Sequence, residues 1–472
     1  MAFSSFSFLL FLPVVALVYA GLRRFSRARA AQAWLLLASL FFYALPRPAH
    51  LPLLVGSILF NWALARRMGA EEEPGRRKSW LLLGLAANVA FLSSFKYVDF
   101  FLGQIGSAAG IRLPSPHWDF PLGISFFTLT QVMYLVDCYQ KLNEPISLFD
   151  HATVVSFFPY VSSGPLVRAK AIADQLGGSS PAGSRAELAS RGVFLFTQGL
   201  AKKVVFADAF GAIADAGFAG VGNLSWIETW AFSLAYTLQI YFDFSGYSDM
   251  AVGSAWMLGI DIPQNFKAPY IAKSISEFWQ RWHISLSSFI TNYLYTPILR
   301  GLGKATLATS AVAILLAMGI AGLWHGAGWT YVVFGLMHGA ALAINQVWKK
   351  KSKRRLPDGM GWALTFLFVN AAFIVFRSPS LPAAGQMLAG LLPHHNLFGT
   401  ELLATAVPFA PSVLLRPVVI GAVLAFFFKS SWELAAEFRP TWRNSLGTAA
   451  LLVVSLLYLN SSVAKQFVYF AF

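Results

Sequence analysis

His325 is the residue best suited to chemistry, because of the residues that surround it. It lies in the sequence GLWHGAGW, from Gly322 to Trp329, which holds three glycines and two tryptophans. The glycines allow close backbone approach, and Trp324 and Trp329 can wall a pocket. An imidazole titrates near neutral pH, so it can take a proton from a hydroxyl nucleophile and pass it on. The alternative is a helix-connecting turn whose histidine only hydrogen-bonds to a carbonyl.

Two further histidines lie in the same polar half of the chain, where an ionisable group in an apolar segment is costly and points to function. His283 follows Arg281 and Trp282, where it would contact a phosphate-rich donor or lipid headgroups. His338 lies thirteen residues after His325 and is expected to be a structural, hydrogen-bonded histidine. The other five histidines lie in or beside loops and are expected at solvated surfaces.

Three carboxylates also interrupt apolar segments. Asp243 and Asp249 flank the sequence FSGYS, and Asp137 lies in an earlier segment. Asp243 and Asp249 would either orient a histidine and bind substrate hydroxyls, or satisfy broken backbone and tie helices together. For Asp137 we expect the structural role.

Several catalytic signatures are absent from the sequence. It has no glycine-rich phosphate loop, no HExxH, no nucleophile elbow and no paired CxxC. A single cysteine, Cys138, allows neither a disulfide within one chain nor a cysteine-rich metal site. A transferase built on His325 would therefore use direct attack under general-base catalysis, without a metal, a tightly bound cofactor or a covalent intermediate.

The elements that must position these residues are membrane helices. Of the 472 residues, 57% are hydrophobic and 12% charged, against about 45 to 50% and about 25% in soluble domains. Several apolar runs approach the roughly 20 residues that a helix needs to cross a bilayer core. The sequence therefore predicts an all-α polytopic membrane protein with about ten or eleven transmembrane helices.

The net charge of +15 records orientation and does not indicate a nucleic-acid partner. Basic residues cluster in short loops between apolar runs, at 23–29, 66–78 and 349–355. Such clusters mark cytoplasmic loops and are consistent with an outside N-terminus. The first apolar run has no basic segment before it and no small-residue cleavage site after it, so we expect a retained helix and not a signal peptide.

The composition of the sequence divides the chain into three parts. Residues 1–118 predict plain scaffold helices, residues 119–376 a catalytic core, and residues 377–472 C-terminal transmembrane helices of the same membrane domain. In the core, glycine, proline and polar residues interrupt apolar segments. Broken backbone at membrane depth survives only where protein or a water-filled cavity surrounds it, so re-entrant segments are expected there.

Local patterns in the core predict three further elements. Apolar residues from Ile271 to Phe289 recur at steps of three and four, which predicts one amphipathic helix at the cytoplasmic interface or beside a cavity. Trp279 and Trp282 would suit an interfacial position. Basic residues at both ends of two apolar runs place His325 near the apex of a helical hairpin. The polar stretch Ala169–Glu187 is expected to be a loop.

Several long motifs, in this order, resemble those of the bacterial membrane-bound O-acyltransferases. They are DFPLGISFFTLTQVMYLVD, SGPLVR, GLAKKVVFAD, YFDFSGYSDMAVG, FWQRWHISLSSF, GLWHGAGWTYVVFGLMHG and the terminal QFVYFAF. The nearest branch is the alginate O-acetyltransferase type, which acetylates exported polysaccharides. Its relatives move D-alanine from a carrier protein onto teichoic acid. The resemblance is strong from about Asp119 to Phe376.

The resemblance implies helices around a central funnel in the bacterial inner membrane, with the acyl donor reached from the cytoplasm and the acceptor from outside. His325 falls on the family's invariant histidine. It would deprotonate an acceptor hydroxyl, which then attacks a thioester, with acetyl-CoA the expected donor. The implied partners are an acyl donor, membrane lipid, and a polysaccharide acceptor or an extracytoplasmic acetyltransferase protein. The candidates to support the base or bind substrate are His283, Asp243, Asp249, Trp324 and Arg281.

The sequence also departs from the alginate branch, which usually reads RRWHISLSTWLRDYLY. Gln280 replaces an arginine, and Thr291 and Asn292 replace an Arg-Asp pair. These departures concern the acceptor and the partner more than the reaction. Two alternatives stay open: D-alanyl transfer from a carrier protein, and a transporter or flippase that feeds a separate extracytoplasmic transferase. Transporters often carry inverted repeats, and the sequence shows none.

Overall fold

Helices are the only regular structure in the residues that the computed structural model describes. These are residues 1–25, 27–177, 185–222, 224–352, 354, 356–393, 396–397, 399 and 411–461. The all-α prediction is confirmed. The terminal motif QFVYFAF lies outside the described residues. By its contacts the chain divides into two compact units, Met1–Phe196 with Met250–Pro263, and Thr197–Asp249 with Gln264–Phe472. Packing alone defines these units, so the functional boundaries at 118 and 376 stay a prediction.

The first unit is an apolar bundle with a few buried polar contacts. Asn61 and Asn88 exchange two hydrogen bonds between their amides, of 3.3 and 2.6 Å. His151 is fully buried, with Nε2 3.0 Å from Oε1 of Gln131, so the expected solvated role is wrong for this residue. The helices of this unit are α1 (Phe6–Arg24), α2 (Ala28–Ala44), a 3₁₀ turn (Pro48–His50), α3 (Leu51–Ala70), α4 (Pro74–Lys96), α5 (Val98–Ala109), α6 (Ile124–Tyr139), α7 (Leu148–Ser156) and α8 (Ala169–Gly177).

Helix α8 occupies the first half of the stretch that was expected to be a loop. Ala169, Ile172, Ala173 and Leu176 are buried, and their spacing places them on one helical face. Burial of this narrow apolar face outweighs the polar composition of the stretch. The expectation of a loop is therefore wrong for residues 169–177 and for residues 185–187, which are also helical, while residues 178–184 lie outside the described residues.

The second unit carries most of the candidate residues. Helices α9 (Arg185–Ala201) and α11 (Trp226–Met257) continue from one unit into the other. The remaining elements are a π-helical segment (Lys202–Ala207), α10 (Asp208–Ala219), a 3₁₀ turn (Pro269–Ile271), α12 (Ile275–Arg281), α13 (Ile284–Phe289), a second π-helical segment (Ile290–Tyr295), α14 (Thr296–Gly301), α15 (Leu307–His325), α16 (Trp329–Lys351), α17 (Asp358–Arg377), α18 (Leu381–Gly390), α19 (Pro411–Phe427), α20 (Ser431–Glu437) and α21 (Trp442–Ser461).

Seven helices of the described chain are long and apolar enough to cross a membrane. The number rises to eight if Val419–Phe427 and Ser431–Glu437, which meet at an angle of 59°, form one broken span. This is a multi-pass membrane protein, although the expected count of ten or eleven spans exceeds the number that meets these criteria. Helix α11, with 32 residues, is not among them, because acidic and hydroxyl side chains interrupt its apolar sequence.

Helices α15 and α16 form the predicted hairpin, and His325 is the last residue of its first arm. Glycines set how closely the arms pack. A Cβ atom on Gly322 would lie 2.4 Å from the carbonyl oxygen of Tyr331, and one on Gly335 would lie 2.3 Å from that of Met318. Both positions therefore require glycine. The predicted place of His325 at the hairpin apex is confirmed.

Candidate active site around His325

His325 lies in an aromatic pocket built from three helices. Only 6% of its surface is exposed. Its ring centroid lies 5.0 Å from Trp324, 6.0 Å from Phe334 on α16 and 5.5 Å from Phe376 on α17. Of the two tryptophans expected to wall a pocket, Trp324 does so, whereas Trp329 is 54% exposed. Electrostatic interactions are stronger in such a buried site than in bulk water.

His283 is the candidate that interacts electrostatically with His325. It is fully buried and lies outside the candidate membrane spans. Burial lowers the pKa of His283 well below its usual range, and the neighbouring His325 imidazole lowers this pKa further. Phe244 packs edge-on against the His283 ring, with the centroids 4.7 Å apart. The expected contact of His283 with lipid headgroups is therefore wrong, because protein encloses the side chain, whereas its contact with a phosphate-rich donor stays a prediction.

A chain break positions His283. Residues 271–289 do not form one amphipathic helix as predicted, since α12 ends at Arg281 and α13 begins at Ile284. Trp282 is extended and His283 has a φ of 43°, in the left-handed region, which costs about 1 to 3 kcal/mol for a residue of this type. The surrounding structure must therefore hold His283 in place.

The segment Asn265–Lys267 supplies that support. The Lys267 N–H donates to the Arg281 carbonyl at 2.9 Å, and the Ile284 N–H donates to the Asn265 carbonyl at 3.0 Å. Backbone groups freed by the break are satisfied in this way, so the break survives burial. Periodicity within 271–289 could not reveal a partner outside that segment. Trp279 and Trp282, expected at the interface, are instead buried.

Arg281 fastens the same break. Its Nε donates to Glu277 at 2.9 Å, and a terminal nitrogen donates to the Lys267 carbonyl at 3.2 Å. The guanidinium thus has a carboxylate and a carbonyl as partners. These contacts assign Arg281 a supporting role in the local fold.

Asp243 and Asp249 form ion pairs with two consecutive lysines. Lys203 lies 2.8 Å from Asp243 and 2.9 Å from Asp208, and Lys202 lies 2.7 Å from Asp249. All five side chains are buried or nearly so. The geometry therefore favours the role of tying helices together. The sequence did contain a signal for the lysines, because GLAKKVVFAD places two cations in an apolar context.

His338 has the hydrogen-bonded structural setting that the sequence predicted. It is fully buried, and Nε1 of Trp279 donates to its Nδ1 at 3.2 Å. Phe334 lies between the two histidines of the hairpin, with its ring 4.6 Å from His338 and 6.0 Å from His325. His338 therefore belongs to the wall behind the candidate site.

A cavity of about 350 Å³ opens beside the same hairpin, among α12, the second π-helical segment, α15 and α16. Hydroxyl and amide side chains line part of it, and none of its lining residues in the described chain is charged. Oε1 of Gln346 is buried there without a hydrogen-bond partner in the described structure. Gln280 and Thr291, where the sequence departs from the alginate branch, both line the cavity, whereas Asn292 does not.

Metal binding has no candidate site within the described ranges. They contain no group of three or more histidine, cysteine, aspartate or glutamate side chains that could hold a metal ion. Aromatic rings surround His325, and the imidazole of His283 interacts with it electrostatically. This set can accept and hold a proton in a water-poor site.

The sequence of this chain matches a known protein family and several of its relatives. Residues 5–381 match the profile of MBOAT, the membrane-bound O-acyltransferase family. The chain is 35% identical to a peptidoglycan O-acetyltransferase of Helicobacter pylori, over 98% of this chain and 95% of the relative. It is 36% identical to a probable alginate O-acetylase of Pseudomonas putida, over 100% of both chains. A teichoic acid D-alanyltransferase of Streptococcus thermophilus is 28% identical over 54% of this chain and 68% of the relative.

Proposed function

This chain belongs to the membrane-bound O-acyltransferase family, and we propose that it moves an acetyl group from acetyl-CoA to hydroxyls of an exported or cell-envelope polysaccharide. The proposed location is the bacterial inner membrane. The alignments with two relatives named for O-acetyl transfer cover at least 95% of this chain and of each relative. The alignment with the D-alanyltransferase covers only 54% of this chain. This difference in coverage favours acetyl over D-alanyl transfer.

The buried imidazole of His325, enclosed by aromatic rings at the end of α15, is the observation that carries the proposal. His325 takes the proton from an acceptor hydroxyl as the oxygen attacks the thioester carbonyl. The carbon–sulfur bond then breaks, and the departing thiolate receives that proton. The products are an O-acetyl ester and free CoA. Aromatic walls around His325 limit the entry of water, which would otherwise hydrolyse the thioester.

We assign the 350 Å³ cavity to the pantetheine arm of the donor. This arm is uncharged and carries amide groups, which suits a cavity lined by hydroxyl and amide side chains. The buried Oε1 of Gln346 can accept an N–H from the arm, which would satisfy an otherwise unpaired acceptor. Trp279 connects the cavity to the wall of the site, because it lines the cavity and bonds to His338.

The test uses purified protein in nanodiscs with radiolabelled acetyl-CoA, and it follows CoA release and label in added alginate or peptidoglycan. His325→Ala should lower CoA release by about 100-fold or more, the scale of a lost general base, while inserting and purifying normally. His338→Gln is the matched control, because it removes an equally buried histidine of the same hairpin. Full activity of His325→Ala would overturn the assignment of the base. If the wild type releases no CoA even with acceptor present, a carrier-protein donor or an obligatory partner protein is favoured instead.

A further inference from the structure

Asn265 joins two chain segments beside His283 and is itself buried. Its backbone carbonyl accepts from the Ile284 N–H at 3.0 Å. Its side-chain oxygen accepts from the N–H of Ser285 at 3.1 Å and from the Ser285 hydroxyl at 2.7 Å. These N–H groups open helix α13, and the residue before it, His283, makes no capping bond with its own side chain. Asn265 therefore caps α13 from a different segment of the chain.

The same side-chain oxygen lies 3.4 Å from Nδ1 of His283. Because a backbone N–H can only donate, the Asn265 atom that faces Ser285 must be the amide oxygen and not the nitrogen. Nδ1 must then carry the proton of the His283–Asn265 bond, which leaves the lone pair of the neutral imidazole on Nε2. A separation of 3.4 Å is long for a hydrogen bond, and such contacts often tighten when substrate binds.

The other end of the amide is also held. Nδ2 of Asn265 donates to the hydroxyl of Ser248 at 3.4 Å. Ser248 lies on α11, the helix whose Phe244 packs edge-on against His283. Rotation of the amide would break its contacts with Ser248 and Ser285 together. The structure thus fixes the amide that faces His283.

We propose that Asn265 is a positioning residue for acyl transfer, which fixes the ring of His283 and keeps its proton on Nδ1. In this tautomer Nε2 is the acceptor nitrogen of His283, and His283 interacts electrostatically with His325, the proposed base. The inference rests on the proposed function, since it concerns the same proton transfer. The inference goes beyond the proposed function because it concerns the tautomer and placement of His283. It does not depend on which donor and acceptor the protein uses.

The test compares Asn265→Ala and Asn265→Asp by kcat, by KM for acetyl-CoA and by the pH dependence of kcat. Asn265→Ala should lower kcat by about 10- to 100-fold with KM little changed, because misplacement of a group in the site slows the reaction more than binding. Asn265→Asp keeps the acceptor oxygen, so kcat should exceed that of the alanine variant. Its carboxylate favours the protonated imidazole, so the acidic limb of the profile should move to higher pH.

Asn370→Ala is the matched control, because Asn370 is an equally buried asparagine that bonds to Thr237 and Ser233. It should not move the pH profile. Histidine-selective 15N labelling, with His283→Gln to assign the signal, reports the tautomer without turnover. Wild-type kcat in Asn265→Ala, an unmoved profile in Asn265→Asp, or an Nε2-protonated His283 in the wild type would overturn the inference. Absence of CoA release by the wild type would instead refute the proposed function, and the labelling result would still decide the role of Asn265.

Discussion

Nε1 of Trp279 donates a 3.2 Å hydrogen bond to Nδ1 of His338, and both side chains are buried behind the pocket of His325. The bond links α12 to α16, two elements that line the 350 Å³ cavity. It also fixes the proton of neutral His338 on Nε2.

Removing either partner of this bond should destabilise the protein. Trp279→Phe or His338→Phe leaves the other group buried without a partner, which costs about 1 to 3 kcal/mol. The double variant should cost less than the sum of the two single variants, because no unpaired group remains. Thermal unfolding in detergent measures these differences. Strict additivity would show that the bond contributes no coupling energy.

The close packing of α15 against α16 should be lost when Gly335 gains a side chain. In Gly335→Ala the new Cβ would lie 2.3 Å from the Met318 carbonyl, so α15 and α16 must separate at a cost of about 1 to 3 kcal/mol. Because His325 ends α15, CoA release should fall as well. The control is Gly319→Ala, whose Cβ would meet only the flexible end of Leu336 at 3.3 Å. Equal melting temperatures of the two variants would contradict this account.

Lys203 should be far more important for stability than a surface lysine. Lys203→Met leaves the carboxylates of Asp208 and Asp243 buried without their shared cation, and breaking such a buried pair costs about 3 to 5 kcal/mol. Lys429 pairs with Glu437 on the surface, where both side chains are more than half exposed. Lys429→Met should therefore cost about 1 kcal/mol or less. Folded yield and unfolding in detergent compare the two variants, and similar losses would refute the importance of burial.

Two neighbouring residues test the assignment of the donor cavity. Thr291 lines the cavity and Asn292 does not, although both are exposed on the same π-helical segment. Thr291→Trp should raise KM for acetyl-CoA by roughly tenfold, which corresponds to about 1.4 kcal/mol of lost binding. Asn292→Trp should leave KM nearly unchanged. Steady-state kinetics of CoA release measure both, and an equal effect of the two substitutions would exclude the cavity as the donor route.

Local sequence was sufficient for the all-helical class and for the place of His325 at the end of a hairpin arm. Apolar runs with basic flanks predicted membrane helices. They also predicted the helical hairpin whose first helix ends at His325. Glycines at 322 and 326 predicted close approach at that apex, where added Cβ atoms would clash with Tyr331. These features are local, since the bilayer and the short connection between two helices restrict where His325 can lie.

Only the tertiary structure shows which distant groups contact the candidate residues. The periodicity of 271–289 predicted one helix, and the break at His283 depends on Asn265, which lies 18 residues earlier in the chain. Asp243 had two open interpretations until Lys203, on another helix, was found 2.8 Å away. Periodicity reports which face of one helix is buried, but not the distant group that meets it. A buried polar group without a hydrogen bond destabilises the protein, so the folded chain pairs such groups with one another. Many of these partners lie far apart in the sequence, and only the folded structure shows which groups meet.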